Sequence, residues 1–310
     1  MIHVRDLVKV FGNRTAVDGV SFDVSKGEVL GFLGPNGAGK STTMRMLTCF
    51  LPPTSGDATV NGFNINSEPV QVRRQIGYLP ENAPVYPEMT VEGYLRFIAE
   101  MRGYVGRDIQ ARVAEVIETC YLNTVVHQSV GTLSKGYKQR VCFAQAIIHD
   151  PPVLILDEPT DGLDPNQKHE VRQLIKRMGE AKCIVLSTHI LEEVDAVCSR
   201  AIIIANGAIV ANGTPEELKA MSALHGAVTL SLQGVAENDA VPFLSALPGV
   251  YHARALDTGG EFITIQVTPK PDEQIAHQVS AALRDKRGQV EEFRLEQGRL
   301  DEVFRTITKA

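Results

Sequence analysis

The order of apolar and polar positions predicts strands at the amino terminus and buried strands further along the chain. Residues 2–10 nearly alternate between the two kinds of side chain, as in a strand with one buried face. The segment 16–24 predicts the returning strand of an antiparallel patch. Segments built around short apolar runs, which are typical of strands buried on both faces of an α/β sheet, lie at 28–33, 75–80, 152–158 and 182–187, and the third of them ends in two acids.

A helical segment interrupts this pattern. Between Thr90 and about Asp150, apolar residues recur at intervals of three and four, so that they share one face of a helix. The clearest are Tyr94, Phe97, Ile98 and Met101, followed by Val113, Val116, Ile117 and Cys120. Because apolar strands precede and follow it, we expect a helical subdomain at about 88–150, inserted between two halves of the sheet.

The pattern changes again beyond about Gly226. Successive segments there predict the order strand, helix, strand, strand, helix, strand, which is that of a ferredoxin-like α+β domain. The segments are 227–232, 240–246, 250–256, 261–267, 273–286 and 290–295, with a turn at 257–260 and a last helix at 300–308. The chain is therefore expected to have two domains, 1–225 and 226–310.

Composition agrees with this organisation and narrows the functional classes. A chain of 310 residues is long for one hydrophobic core. A net charge of −6 gives no support for a nucleic-acid surface. The sequence has neither an apolar run of 18 residues nor a secretory signal at its start. Its five cysteines lack C-x-x-C spacing, so we expect reduced thiols in a cytosolic protein rather than a metal site.

The strongest motif follows the first buried strand and precedes a predicted helix. It fills every fixed position of the phosphate-binding pattern G-x-x-x-x-G-K-[ST]. Glycines let successive backbone N–H groups face one anion, and the helix N-terminus adds partial positive charge. Lys40 can reach the β- and γ-phosphates, and Ser41 can ligate Mg²⁺. A glycine-rich turn that binds nothing is the alternative, which the complete pattern disfavours. The loop is Gly34, Pro35, Asn36, Gly37, Ala38, Gly39, Lys40 and Ser41.

Two later strands end in residues suited to phosphate chemistry. Asp157 closes a buried strand and is placed to hold Mg²⁺ through water. Glu158 follows it and would orient or deprotonate the water that attacks the γ-phosphate. His189 comes directly after another apolar strand, where a sensor of that phosphate is expected. The alternatives are two solvated acids at a strand end and a structural histidine.

A second polar turn opens a helix at Leu133-Ser134-Lys135-Gly136-Tyr137. Its hydroxyl and free N–H groups form another possible anion site, but a turn of this kind is common and indicates little alone. With the earlier motifs and the loop 161–164, however, it resembles the ATP-binding subunit of an ABC transporter. The resemblance covers residues 2–220 and presents five motifs in the order of that family.

The resemblance implies a P-loop ATPase fold and a specific set of ligand contacts. Phe11, which position alone would assign to the core, is expected to stack on adenine. Val17 and Thr42 are expected to join the same nucleotide site. Ser134 and Gly136 are expected to bind the γ-phosphate of an ATP held by a second subunit, so that two ATP molecules lie in a head-to-tail dimer.

Two departures from the family pattern affect these expectations. Glu81 stands where the family usually has a glutamine that senses Mg²⁺, and a carboxylate can still ligate this ion. Lys135 and Tyr137 replace the third and fifth residues of the usual Leu-Ser-Gly-Gly-Gln signature. The variant signature and the closing segment 300–304 resemble the ABC-2 exporter branch, especially its gliding-motility-type ATPases.

The resemblance favours an export motor that is peripheral on the cytoplasmic face of the membrane. It would act with a separate transmembrane permease and with no nucleic acid. A soluble ABC ATPase that assembles or remodels something other than a membrane channel is the competing class. For residues 227–310, where the resemblance is thin, we expect a regulatory or dimer-stabilising role, and a passive appendage remains the alternative.

Overall fold

The computed structural model describes residues 1–81, 84–257, 261–271, 273–284 and 290–308. The chain forms two compact units, Met1–Pro215 and Glu216–Ala310. This division falls earlier in the chain than the boundary at 225 that the sequence suggests. The first unit carries all of the sequence motifs with predicted chemistry.

The first unit contains two sheets. Its strands are β1 (Ile2–Phe11), β2 (Arg14–Val24), β3 (Val29–Leu33), β4 (Ser55–Val60), β5 (Phe63–Asn64), β6 (Ile76–Leu79), β7 (Val153–Asp157), β8 (Cys183–Thr188), β9 (Arg200–Ala205) and β10 (Ala208–Gly213). An antiparallel sheet has the order β2-β1-β4-β5, and this confirms the amino-terminal patch. The larger sheet has the order β10-β9-β3-β8-β7-β6.

The larger sheet is parallel except at one edge, where β10 pairs antiparallel with β9. Strands β3, β7 and β8 are buried along their whole length, because each is an apolar run covered on both faces. Since these neighbours are parallel, their carboxyl ends lie at one edge of the sheet. Ligands of open α/β sheets bind at this kind of edge.

The helices of the first unit are α1 (Lys40–Leu47), α2 (Pro69–Gln75), α3 (Val91–Met101), α4 (Arg107–Thr119), α5 (Lys135–Ile147), α6 (Pro165–Gly179) and α7 (Leu191–Val197). Helices α3, α4 and α5 form the predicted helical insert. The buried face of α4 is as expected, but Met101 is 71% exposed because α3 ends there. Thr90 caps α3 by accepting a hydrogen bond from the backbone N–H of Gly93.

Helix α1 belongs to the core that joins the two sheets. Met44, Met46 and Leu47 are fully buried within that core. From the two sheets, Phe22 and Phe32 contribute rings whose centroids lie 5.5 Å apart. The start of α1 is therefore held rigidly at the carboxyl edge of the larger sheet.

The five cysteines are free, and four of them are buried. Only Cys49 is partly exposed. Burial raises the pKa of the Cys120, Cys142 and Cys183 thiols to about 12 and raises that of Cys198 as well.

Helix α8 (Pro215–Ala220) begins at the division between the units. The second unit then contains β11 (Val228–Gln233), α9 (Glu237–Ser245), β12 (Val250–Asp257), β13 (Phe262–Pro269), α10 (Ala276–Ala282), β14 (Val290–Leu295) and α11 (Leu300–Thr308). The sheet order β12-β13-β11-β14 is that of the ferredoxin-like arrangement. Residues 258–260 of the predicted turn and 285–286 of the predicted helix lie outside the described residues.

One face of this second sheet is apolar and packs on α9 and α10. The opposite face carries the predicted polar side chains, yet Thr229 and Gln266 on it are each only 3% exposed. Thr229 donates to Glu296 at 2.7 Å, and Arg254 donates to Gln266 at 2.9 Å. The polar face is thus a network of hydrogen bonds rather than a row of solvated side chains. Ser222, before β11, donates to Glu302 of α11.

Candidate functional site

The phosphate-loop motif connects β3 to α1, as predicted. Gly39 precedes the helix with φ of 111°, a conformation that favours glycine. A Cβ atom on Gly39 would lie 2.5 Å from the carbonyl oxygen of Ala16, and one on Gly34 would lie 2.5 Å from that of Ile204. Both positions therefore require glycine, because backbone atoms approach from neighbouring strands.

Lys40 is the first residue of α1 and is only 6% exposed. Its Nζ donates to the carbonyl oxygens of Gly34 at 2.7 Å and Pro35 at 3.3 Å. It also lies 3.9 Å from Oε1 of Glu158. Burial lowers the pKa of the Lys40 ammonium, whereas the acidic groups nearby oppose that shift. The loop thus holds a cation beside its backbone, at the position expected for phosphate contact.

Asp157 ends β7 and is 2% exposed. Its Oδ1 accepts hydrogen bonds from the hydroxyls of Ser41, at 3.2 Å, and of Ser187. Ser187 was not predicted, although its place opposite Asp157 in the pairing of β7 with β8 accounts for the contact. A carboxylate and a hydroxyl meet here, and these are the hard oxygen ligands that suit Mg²⁺.

Glu158 follows Asp157 with φ of 50°, a left-handed conformation that is rare for a residue with a side chain. Its N–H donates to the carbonyl oxygen of Ser187 at 3.1 Å. Its Oε2 lies 2.9 Å from Nδ1 of His189, which follows β8. Backbone strain of this kind costs of the order of 1–3 kcal/mol and is concentrated at functional sites. The structure thus brings the predicted acid and histidine into contact.

Lys40, Glu158 and His189 line one cavity of about 820 Å³, within the range of small-molecule sites. Asp157 lies behind its wall, in contact with Ser41, which does line it. Predicted residues on its wall are Phe11, Asn36, Gly37, Gly39, Lys40, Ser41, Thr42, Glu81, Glu158 and His189. Phe11 is 47% exposed, so it presents a ring to the cavity instead of packing in the core. Val17 is fully buried, and its neighbour Ala16 lines the wall in its place. Gly34, Pro35 and Ala38 belong to the loop without lining the cavity.

Arg14 and Asp161 also line the cavity and were not predicted as site residues. Arg14 lies just after the turn that carries Phe11, and its guanidinium donates to the carbonyl oxygen of Gly37 at 3.4 Å. Asp161 lies three residues after Glu158, and its side chain pairs with Lys135 at 2.9 Å. Their closeness in sequence to Phe11 and Glu158 was the available signal.

The second polar turn does not line this cavity. Ser134 caps α5, and its hydroxyl accepts from the N–H of Tyr137 at 3.4 Å. Gly136 is buried against Gln167, whose Oε1 would lie 2.3 Å from a Cβ at that position. The Tyr137 hydroxyl lies 3.1 Å from that of Thr124, which belongs to the helical insert.

A phosphate loop at a strand end, with two acids and a histidine on adjacent strands, defines a P-loop nucleoside triphosphatase. A family model described as ABC transporter matches residues 17–161. The Linearmycin resistance ATP-binding protein LnrL of Bacillus subtilis (strain 168) is 31% identical over 309 residues, which are 99% of this chain and 98% of that protein. The chain belongs to the family of ABC transporter ATP-binding subunits.

Other comparisons agree with this assignment. The Nod factor export ATP-binding protein I of Rhizobium etli is 33% identical over 284 residues, covering 91% of this chain and 88% of the relative. The dimeric, post-hydrolysis structure of the ATP-binding cassette MJ0796 with ADP and Pi has a TM-score of 0.64 and 25% identity. It covers 69% of this chain and 99% of MJ0796. The protein is an ATPase, which converts ATP and water to ADP and phosphate.

Within the described ranges, no helix has both the length and the apolar character needed to cross a membrane. In the same parts of the chain, no three acidic, histidine or cysteine side chains converge on a possible metal position. An ATP-bound Mg²⁺ takes only one or two protein ligands besides phosphate oxygens and water, so the pair of Ser41 and Asp157 is a suitable donor set.

Proposed function

We propose that this chain is the ATP-hydrolysing subunit of an exporter, which powers export or membrane remodelling by a separate transmembrane permease. ATP binding closes a head-to-tail dimer of two ATPase subunits, and hydrolysis opens it. The observation that supports the dimer is that Ser134 and Gly136 lie outside the cavity of their own chain. A second copy would supply these residues to the γ-phosphate.

The proposed roles rest on the positions of the side chains and on the family resemblance. Lys40 binds the β- and γ-phosphates, and Thr42 joins the same nucleotide site. Phe11, whose ring lines the cavity, stacks on the adenine as the resemblance implies. Glu158 orients or deprotonates the attacking water, while His189 holds that carboxylate and senses the γ-phosphate. Ser41, Asp157 and Glu81 would hold Mg²⁺, which neutralises phosphate charge when bound.

The proposed partner and location rest on the relatives. LnrL is named for linearmycin resistance and the Rhizobium protein for Nod factor export. By analogy, this chain sits on the cytoplasmic face of the membrane, and its helical insert passes the motion of the dimer to the permease. The domain of residues 226–310 is proposed to regulate the dimer or to keep its two halves together.

The test is purification of the tagged chain from detergent-solubilised membranes of its own cells. We expect a multi-spanning membrane protein to co-purify in a fixed ratio and to change the rate of ATP hydrolysis when both are placed in vesicles. Recovery of an active dimer that has no membrane partner, from the soluble fraction alone, would favour the competing class of soluble ABC ATPase.

A further inference from the structure

The start of helix α5 is attached at two points to the loop that follows Glu158. Nζ of Lys135 donates to Oδ2 of Asp161 at 2.9 Å. Nε2 of Gln139 donates to the carbonyl oxygen of Pro159 at 3.2 Å, in a buried position. Lys135 and Gln139 are four residues apart and therefore lie on one face of the helix. This face of α5 therefore contacts the loop at two residues, Pro159 and Asp161.

The loop determines the conformation of Glu158. The N–H of Asp161 donates to the carbonyl oxygen of Glu158 at 3.2 Å, which closes the turn. Glu158 itself has the left-handed φ of 50°. Such a conformation persists only where surrounding contacts hold it. The hydrogen bonds from α5 to Pro159 and Asp161 therefore help to hold the backbone of Glu158 in this conformation.

The path of Lys135 shows that the loop accommodates this ion pair. Its side chain crosses Gly162, where a Cβ atom would lie 2.0 Å from Nζ. Gly162 also has φ of 67°, a conformation that favours glycine. A glycine at this position therefore allows the turn and leaves room for the lysine side chain. The hydrogen bond from Lys135 lowers the pKa of the Asp161 carboxyl, and the nearby His189 adds to the effect. The carboxylate therefore stays ionised where it lines the cavity.

We propose that Lys135 is a positioning residue for ATP hydrolysis: through Asp161 it holds the loop 158–162 in the conformation that Glu158 requires. The inference rests on the catalytic role proposed above for Glu158. The family usually has glycine at the position of Lys135, so this contact belongs to the departure of this chain from the usual signature. Asp161, on the cavity wall, is the residue through which the lysine acts.

Steady-state ATP hydrolysis by the purified full-length chain tests the proposal. Both side chains of the pair are more than half exposed, and an exposed ion pair changes an equilibrium by at most about fivefold. Lys135→Ala should lower kcat about twofold to fivefold and leave the KM for ATP unchanged. Lys135→Arg, which keeps the charge, should retain most of the rate. High salt should bring the wild type toward Lys135→Ala, because screening weakens the pair.

A double-mutant cycle separates this role from a general charge effect. Asp161→Asn should lower kcat to a similar extent, and the double variant with Lys135→Ala should be no slower than either single variant. The matched control is Lys138→Ala, which removes the same charge from α5 and should be neutral. A loss of rate in Lys138→Ala as large as that in Lys135→Ala, additive effects in the cycle, or a raised KM with unchanged kcat would overturn the proposal.

Glu158→Gln is assayed in the same series. Normal turnover in that variant shows that the role proposed for Glu158 is wrong, whereas normal kcat in Lys135→Ala alone shows that the positioning role is wrong. The two failures are therefore distinguishable. Thermal melting of each variant confirms that the exposed substitutions leave the fold intact.

Discussion

Oε2 of Glu158 lies 2.9 Å from Nδ1 of His189, although the two residues follow different strands of the sheet. The register of β7 and β8 accounts for this contact. Asp157 pairs with Ser187, so the two parallel strands end side by side at the same edge of the sheet. The carboxylate that is proposed to act on water is thus oriented by a residue from the adjacent strand. His189 is half exposed, and Glu158 is nearly buried.

This contact makes Glu158→Gln the most direct test of the chemistry. The amide keeps the shape of the side chain but cannot accept a proton, so hydrolysis should fall by at least about a hundredfold. ATP binding should persist, and a closed ATP-bound dimer should accumulate. Phosphate release and nucleotide binding measure the two effects. Glu192→Gln, at an exposed carboxylate of α7, is the control and should hydrolyse ATP normally.

A mixing experiment tests the head-to-tail arrangement. Lys40→Ala should weaken nucleotide binding, because it removes the cation that faces the phosphates, and Ser134→Arg should block the contact across the dimer. Neither variant alone should have a working site. Mixed dimers should recover at most one working site per pair. If the two variants behave independently, as in a monomeric ATPase, the arrangement is wrong.

The Ser134 variant needs a check of its own. Ser134 caps α5, and loss of such a cap costs about 1 kcal/mol of stability. Ser134→Asn keeps a capping side chain and is the matched control for folding. Melting curves of both variants separate a weakened helix from a blocked contact.

Removal of the second unit tests its proposed role. Ser222 is hydrogen-bonded to Glu302, and both residues lie beyond Met221, so truncation at about Met221 removes this contact whole, as does a cut at the division after Pro215. The truncated chain should bind ATP as before and should dimerise more weakly without nucleotide, or should change its basal turnover. Molar mass from light scattering and steady-state kinetics measure these effects. A truncated chain with the same mass and the same kinetics would show a passive appendage.

Asp150 offers a prediction about pH and stability. Lys182 donates to it at 2.6 Å, and this hydrogen bond lowers the pKa of Asp150 below its usual 3.8. A lowered folded-state pKa stabilises the fold above the unfolded-state pKa, and this contribution is lost as the pH falls through the folded-state value. Because Asp150 is 69% exposed, Asp150→Asn should cost only about 0.5 kcal/mol at pH 7.

Urea unfolding at several pH values measures this effect. The difference between the wild type and Asp150→Asn should shrink below about pH 4. Asp18→Asn, at an exposed carboxylate of β2, is the control and should show a smaller difference at every pH. A constant difference between wild type and Asp150→Asn across the range would contradict the assignment to the ion pair.

The sequence was most informative about site residues that come directly after a buried strand. The phosphate loop, Asp157 and Glu158, and His189 could each be predicted because an apolar run directly precedes them. The loop that contains Asp161 was recognised as a motif, but the place of Asp161 and Arg14 on the cavity wall was not predicted, because it depends on how turns from separate elements meet. The burial of Val17 beside Ala16 depends on the register of β2, which alternation alone leaves open by one residue.

The end of a helix and the backbone conformation of a single residue were the other features that the apolar pattern could not predict. A helical period placed Met101 on the apolar face of α3, but the helix ends there and leaves the residue exposed. The left-handed backbone of Glu158 has no local signal either, because non-glycine residues seldom adopt it. Such a conformation is imposed by contacts from β8 and α5, which lie far away in the sequence.

The four buried cysteines have a practical consequence for experiments on motion. Thiol reagents react with the thiolate, so groups with a strongly raised pKa and no access to solvent stay unlabelled at neutral pH. Cys49→Ser would remove the one thiol that is not buried and leave a background that is silent toward maleimides. A single cysteine placed at an exposed position such as Phe50 could then carry a spin label or fluorophore. Distances between two such probes in a dimer would follow its opening and closing during turnover.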